Sequence, residues 1–413
     1  MRAGRWFVGL LLVLAAALPA AAHLTPNSEV RLQFRPSDIA ADIVIPKGDF
    51  ALASGLATTN DPAARAAAGA WLRANIAVAA PDGRRWRLVF DRIAFETIAG
   101  PPDLHVNARL VPPAGAPVSR LTIGWRAVTA QIRRHFVLFL ATAGDGRTPA
   151  VLGAVQGDRL QLAIDRGQGA GAGFAGALRL GMAHIAQGSD HLLFLLALLL
   201  PAPVLAARGR WGPRRTLAAT LRQLALLVTA FTLGHSLTLV LSAALHWQLP
   251  PAPVEILIAV SILVTALHAW RPLFAGREAV VAAGFGLVHG LAFATLVGNA
   301  GLGVQERGLA ILGFNLGIEI VQMIVVLAVL PWLLLLARAP NFGLFRTAGA
   351  GFAGIAALAW LAERTTGSAN AVASGYGVVF AHPLALLAGL GGVALANHWA
   401  VRARRAPPLA GLG

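Results

Sequence analysis

Between about residues 23 and 166, apolar and polar positions alternate in short runs. Arg31-Leu32-Gln33-Phe34, Asp42-Ile43-Val44-Ile45, Trp86-Arg87-Leu88-Val89-Phe90 and His105-Val106-Asn107-Ala108-Arg109-Leu110 show the pattern. A period of two places successive side chains on opposite faces of a strand, one buried and one wet. Leu121 to Trp125, His135 to Leu140 and Arg159 to Ile164 are further strand candidates. Turn clusters such as Pro81-Asp82-Gly83 and Pro112-Pro113-Ala114-Gly115 separate the runs. Short strands between regular turns predict a mainly β, sandwich-like domain. One helix is expected from Pro62 to about Asn75, with Asn60 or Asp61 as its cap.

From about residue 174 the alternation gives way to long apolar stretches. Seven spans are expected, at about 176–205, 217–245, 253–270, 279–299, 309–336, 346–361 and 379–400. Each is long enough to cross about 30 Å of hydrocarbon at about 1.5 Å per residue. The fold class is therefore a polytopic α-helical membrane bundle of about seven spans, preceded by a mainly β, sandwich-like extracytoplasmic domain. The expected divisions are a signal peptide (1–22), the β-rich domain (23–166), a Gly-rich linker (167–175), the transmembrane domain (176–405) and a short cytoplasmic tail (406–413).

Composition agrees. Of the 413 residues, 57% are hydrophobic and 13% charged, against about one-quarter charged in a soluble domain. The net charge of +16 would suggest nucleic acid if it sat on a soluble surface. It sits elsewhere. Arg2 and Arg5 precede the apolar run Trp6 to Leu18 and then Ala20-Ala21-Ala22, the layout of a secretory signal. Arg208, Arg210, Arg214, Arg215 and Arg222 follow the first span, and Arg271 and Arg277 the third. Arg338 and Arg346 flank the loop after the fifth, and Arg402, Arg404 and Arg405 end the seventh. The outer loops hold only Arg307 and Arg364, beside Glu306 and Glu363. This alternation places the first domain outside and the C-terminus inside. The expected partner of the basic loops is the lipid bilayer, with no nucleic acid. There are no cysteines, so any metal must be held by nitrogen or oxygen ligands.

An ionisable side chain in hydrocarbon costs about 2.5–3.5 kcal/mol on insertion scales, so each one in a span calls for an account. Span one carries Gly181-Met182-Ala183-His184-Ile185-Ala186-Gln187-Gly188-Ser189-Asp190-His191. The spacing of His184 and His191 puts both on one helical face, two turns apart, with Gln187 on the same stripe and Asp190 beside it. An alternative is that Ser189 or Asp190 caps a helix beginning at His191. Span two carries His235 in Phe231-Thr232-Leu233-Gly234-His235-Ser236, where an interhelical hydrogen bond is an equal reading. Span four carries His289, flanked by the close-packing pair Gly286 and Gly290. In span five Asn315, Glu319 and Gln322 form one polar stripe next to Gly313 and Gly317. Glu255 suits the N-terminus of the third span. His268, His382 and His398 read as interfacial, and His105 and His135 as surface residues of the β domain. His23 would be the first residue after cleavage, where a free terminal amine and imidazole can bind Cu²⁺ or Ni²⁺. The deep groups suit a divalent transition metal on N and O ligands (Ni²⁺, Co²⁺, Zn²⁺ or Fe²⁺) and, second, a proton relay.

His184-Ile-Ala-Gln-Gly188-Ser-Asp190-His191 resembles the HxxxGxDH signature of the HupE/UreJ proteins, bacterial membrane proteins linked to hydrogenase and urease gene clusters and regarded as nickel/cobalt permeases. Ile185 stands where that signature often has proline. Phe231-Thr-Leu-Gly-His235-Ser, Gly286-Leu-Val-His289-Gly-Leu-Ala-Phe and Phe314-Asn-Leu-Gly-Ile-Glu319 resemble the branch with a long N-terminal extension. The resemblance implies His184, Asp190 and His191 as metal ligands. His235, His289, Glu319 and Asn315 are candidates mainly from chemistry and depth. It implies a permease, not an enzyme, in the bacterial inner membrane, with the metal ion (Ni, Co or Zn) as substrate or bound ion. The β domain would be periplasmic, where a second protein can bind it. Two alternatives stand beside this. One is a membrane-embedded metal-dependent lipid hydrolase using Ser189 or Ser236. The other is a non-transporting assembly or sensory partner.

Overall fold

The computed structural model describes residues 27–97, 102–132, 135–142, 149–157, 159–166, 171–245, 251–298, 303–366, 368, 370–380 and 382–405. The expected signal segment, His23 and the tail 406–413 lie outside the described residues. The chain forms two compact units. One contains Thr25–Met182 and Leu296–Gly317, the other Ala183–Thr295 and Ile318–Gly413.

In the first unit the order is β1 (Asn27–Phe34), β2 (Ile39–Pro46), α1 (Lys47–Ser54), α2 (Pro62–Asn75), β3 (Ile76–Ala79), β4 (Arg87–Glu96), β5 (Asp103–Val111), β6 (Arg120–Trp125), β7 (Phe136–Ala141), β8 (Ala150–Gln156) and β9 (Gln161–Asp165). One sheet has six strands in the order β4-β5-β2-β1-β7-β8, and the other three in the order β3-β6-β9. β1 pairs parallel with β7, whereas its other neighbour, β2, is antiparallel. Burial alternates along β2 as the sequence period requires. Leu32, Ile43, Leu104 and Phe139 of one sheet share a core with Val78, Ile123 and Trp125 of the other. Trp125 meets Phe139 edge-on, with ring centroids 5.5 Å apart. This is the expected sandwich. β7 is buried at every position, which is why Phe136-Val-Leu-Phe-Leu-Ala141 is an unbroken apolar run. β3 is four residues long and β8 is rich in small residues, so neither had a readable period. Asp61 accepts from the Ala64 backbone N–H at 2.9 Å and caps α2, as its place before Pro62 implied.

The expected linker is helical from Gly171, where α3 (Gly171–Gln187) begins. A Cβ at Gly176 would lie 2.2 Å from the Val151 carbonyl oxygen. The glycines here serve close approach to β8, and flexibility is not their role. Gly181 and Gly317 likewise let α3 meet α8 (Val304–Leu336) backbone to backbone: added Cβ atoms would fall 2.0 Å from Phe314 O and 2.2 Å from Leu178 O.

The second unit continues with α4 (Ser189–Leu199), β10 (Val204–Ala207), β11 (Arg210–Arg214), α5 (Leu217–Leu245), α6 (Pro251–Trp270), α7 (Glu278–Gly298), the rest of α8, α9 (Phe342–Thr366), α10 (Ala371–Phe380) and α11 (Pro383–Arg405). β10 and β11 form a hairpin that the sequence reading took for a plain basic loop. Its two turn residues, Arg208 and Gly209, have φ of 50° and 73°, as a tight primed turn demands. Among the described residues, five helices are long and apolar enough to cross a membrane: Leu217–Ser242, Pro253–Trp270, Val304–Leu336, Phe342–Thr366 and Pro383–Arg402. A sixth is counted if α3 and α4, which are bent against each other, make one span. The expected count of seven is not confirmed among the described residues. α7, from Glu278 to Gly298, lies where the fourth span is expected, and the helix of the last expected span starts at Pro383 after the separate α10. Proline lacks the N–H to continue α10 but fits the first turn of α11.

His268 is 1% exposed within the protein. Its Nδ1 accepts from the backbone N–H of Leu273 at 3.1 Å, its ring stacks on Phe274, and Trp211 Nε1 donates to its carbonyl. Arg346 donates to the Ala269 and Trp270 carbonyls and so closes the C-terminus of α6. Glu255 does more than face a helix dipole, since it pairs with Arg364 Nε at 3.0 Å.

α5 and α7 are held together at Gly234 and Gly286, whose added Cβ atoms would lie 2.1 Å from Ala283 O and 2.1 Å from Phe231 O. Gly286→Ala is expected to push the two helices apart and to destabilise the protein by about 1–3 kcal/mol, the usual range for overpacking. Thermal unfolding of the detergent-solubilised variant beside wild type checks this, and an unchanged midpoint would contradict the close contact.

Candidate functional site

The site is built from the break between α3 and α4. Gly188 N–H donates to His184 O at 3.0 Å, and Leu192 N–H donates to Gly188 O at 3.0 Å, so the backbone bonds run on across the break. No side chain caps α4. The break anticipated as the alternative reading is present, but Ser189 and Asp190 do not cap it from the N-cap position. Asp190 Oδ1 instead accepts from the His191 backbone N–H at 2.9 Å and from His191 Nδ1 at 3.0 Å. In a straight helix, residues seven apart are separated by about 10.5 Å along the axis. Here the ring centroids of His184 and His191 are 4.5 Å apart. The broken helix, and not a shared helical face, brings them together.

His289 comes from α7 and His235 from α5, at the close glycine contact of those helices. His235 is 1% exposed and His289 is fully buried. The His289 ring lies edge-on to His191 at 4.8 Å. Phe194 and Phe231 flank it at 5.1 and 5.3 Å, in a dry aromatic surround. His289 Nε2 is 2.9 Å from Ser261 Oγ on α6. Ser261 gives its own hydroxyl proton to Ile258 O at 2.7 Å. His235 lies within electrostatic reach of His184 and His289, as does Arg364 of Asp190.

Hydrogen-bond accounting then assigns the protons. A carboxylate only accepts, so His191 carries its proton on Nδ1 toward Asp190 and keeps a lone pair on Nε2. His289 turns Nε2 to the Ser261 hydroxyl and Nδ1 away from it. His191 Nε2 and His289 Nδ1 are buried without a hydrogen-bond partner among the described residues.

The structure thus gathers His184, Asp190, His191, His235 and His289 in one unit. It does not bring the α8 candidates to them by any described contact. Asn315 belongs to the other unit, and its Nδ2 donates to Ile311 O at 2.9 Å. Glu319 is half-buried and makes no hydrogen bond or ion pair among the described residues. Nor do any three His, Asp or Glu side chains among the described residues surround a common point as metal ligands. Edge-on rings are packed against one another and do not converge on an ion, so binding one requires the imidazoles to turn.

Ser261 was missed because a serine in an apolar helix carries no pattern; only the neighbouring helix reveals its role. His135 was misplaced. It is fully buried, with Nε2 2.7 Å from Ser28 Oγ and Nδ1 3.3 Å from Asp49 Oδ2. This series has the residue types of a hydrolase triad, but Ser28 is 1% exposed, so no substrate atom reaches its oxygen and the group serves the end of the core. A groove of about 380 Å³ on the β domain is lined by Arg31, Asp42, Asp91 and Arg109. Its Arg109–Asp91 pair at 2.8 Å cancels much of its charge.

Residues 160–364 match the family model described as HupE / UreJ protein. Over these residues the chain belongs to the HupE/UreJ family. The match takes in every candidate residue, from His184 to Glu319, and also Ser261, and it leaves β1–β8 as an additional N-terminal region. No curated protein matches the chain. In this HupE/UreJ chain the signature glycine has a steric reason. A Cβ at Gly188 would lie 2.8 Å from His184 O, 3.0 Å from His191 Nδ1 and 3.2 Å from Asp190 Oδ1. Gly188→Ala is therefore expected to displace the Asp190–His191 pair. Imidazole ¹⁵N spectra of the metal-free protein should show the His191 signals move, while unmoved signals would mean that Gly188 is replaceable.

Proposed function

We propose that this integral membrane protein moves or handles a divalent transition metal of the Ni/Co class through the buried imidazole cluster. One observation carries the reading: two adjoining imidazoles keep buried, unpartnered lone-pair nitrogens, His191 Nε2 and His289 Nδ1. An unpaired polar atom in a dry interior is costly, and neutral imidazole nitrogen is the ligand atom that Ni²⁺, Co²⁺ and Zn²⁺ favour. Asp190 behind His191 is the carboxylate–histidine arrangement that orients a ligand. The edge-on packing of the rings suits an ion that is bound in passing, because ligands that must turn to bind also turn to release.

The ion enters from the periplasmic side, exchanges water for imidazole, is joined by His184 and His235, and continues past Glu319. The protein sits in the bacterial inner membrane after signal cleavage, with the β domain periplasmic, able to take a protein partner, and the C-terminus cytoplasmic. The arginine-bearing β10–β11 hairpin and the Arg402 end of α11 lie on the inner side, where anionic lipid meets them. No described contact favours the lipid hydrolase: the Ser236 hydroxyl, one of its two candidate serines, donates to Thr232 O.

Uptake of Ni²⁺, Co²⁺ and Zn²⁺ into proteoliposomes tests the reading. Wild type is expected to accumulate at least one of the ions, and His191→Ala to reduce its accumulation by at least tenfold, the lower end of about 10–100-fold for lost ligand support. Absence of uptake by the folded wild-type protein sinks it.

A further inference from the structure

We propose that Ser261 is a positioning residue that sets the tautomer of His289 and so presents Nδ1 as a ligand atom. This deepens the metal reading and rests on it for its purpose, but the tautomer itself stands apart from any ion.

Ser261 and His289 are 2% and 0% exposed, so neither reaches water to settle its hydrogen bonds. An imidazole ring has two nitrogens, and in the neutral form either can carry the proton. The partner decides. Ser261 Oγ stands 2.9 Å from His289 Nε2 and 2.7 Å from Ile258 O. A carbonyl only accepts, so the serine proton goes to Ile258. The oxygen can then only accept from His289, which puts the imidazole proton on Nε2 and leaves Nδ1 bare. The Thr265 hydroxyl donates to Ser261 O at 2.8 Å, which braces the same turn of α6. Nothing else among the described residues bonds to Nδ1.

His191 and His289 are thereby made unequal. His191 has a carboxylate at its back, and His289 has a neutral hydroxyl. A carboxylate behind one imidazole and a neutral hydroxyl behind the other support the two rings differently as ligands. The two rings with these different partners adjoin, with centroids 4.8 Å apart.

The test uses full-length protein in detergent with ¹⁵N-labelled histidine, metal-free and then titrated with Ni²⁺, in wild type, Ser261→Ala and Ser261→Thr. His289 signals are assigned by comparison with His289→Gln. Wild type should show His289 protonated at Nε2. Ser261→Ala should lose that single tautomer and weaken Ni²⁺ binding by about 10–100-fold, the usual loss when an outer-shell partner goes. Ser261→Thr keeps the hydroxyl and should restore both, an outcome that a merely space-filling serine would not give. Circular dichroism confirms that each variant is folded. Protonation at Nδ1 in wild type, or an unchanged tautomer in Ser261→Ala, overturns the assignment. Wild-type protein that shows the Nε2 tautomer yet binds no Ni²⁺ supports the assignment and sinks the permease reading instead.

Discussion

Everything in the helical part depends on one constraint: a polar group buried away from water must find its partner within the protein. Backbone groups meet it by being helical. Serine and threonine meet it by returning their protons to their own helix, as Ser236, Ser242 and Thr265 do. An imidazole cannot meet it alone, because its two nitrogens point apart. Asp190 accepts a hydrogen bond from His191 and Ser261 accepts one from His289, and each satisfied nitrogen leaves the other facing its neighbours. The chemistry of the site is what remains once the rest of the polar groups are accounted for.

Glycine makes this accounting geometrically feasible. The α5–α7 contact at Gly234 and Gly286 brings backbones together, so that His235 and His289 sit at a helix crossing and not along a lipid-facing surface. Gly188 does the same within one segment. With no side chain of its own it leaves room for the Asp190–His191 pair, and the break at that residue folds His184 back toward His191. Metal-ligand candidates and the small residues beside them are therefore one structural device, and the HxxxGxDH signature reads as its shorthand.

The two compact units solve different problems. The β unit has water on its outer faces, and its alternating strands bury Leu32, Ile43 and Leu104 while charges such as Arg109 and Asp91 pair outside. In the helical unit some charges are met within the protein. Glu255 meets Arg364, and Arg346 closes the end of α6. The same chain thus shows both answers to burial, one by sorting residues between faces and one by pairing them.

Local periodicity was enough to read the sandwich, helix α2 with its Asp61 cap, most long helices and the histidines that belong together. These follow from side-chain spacing alone, which a strand or helix repeats wherever it lies. It did not supply β3, β8, the β10–β11 hairpin or the helical start at Gly171, where small residues or short lengths erase the period. Nor did it decide the number of spans, the burial of His135 and His268, or the pairing of Glu255 with Arg364. Those depend on what a neighbouring element places opposite. Residue types and spacing established that imidazoles and a carboxylate lie in apolar helices; only the tertiary structure, by setting Ser261 and Asp190 behind two of the rings, decided which nitrogens hold protons and which stay open.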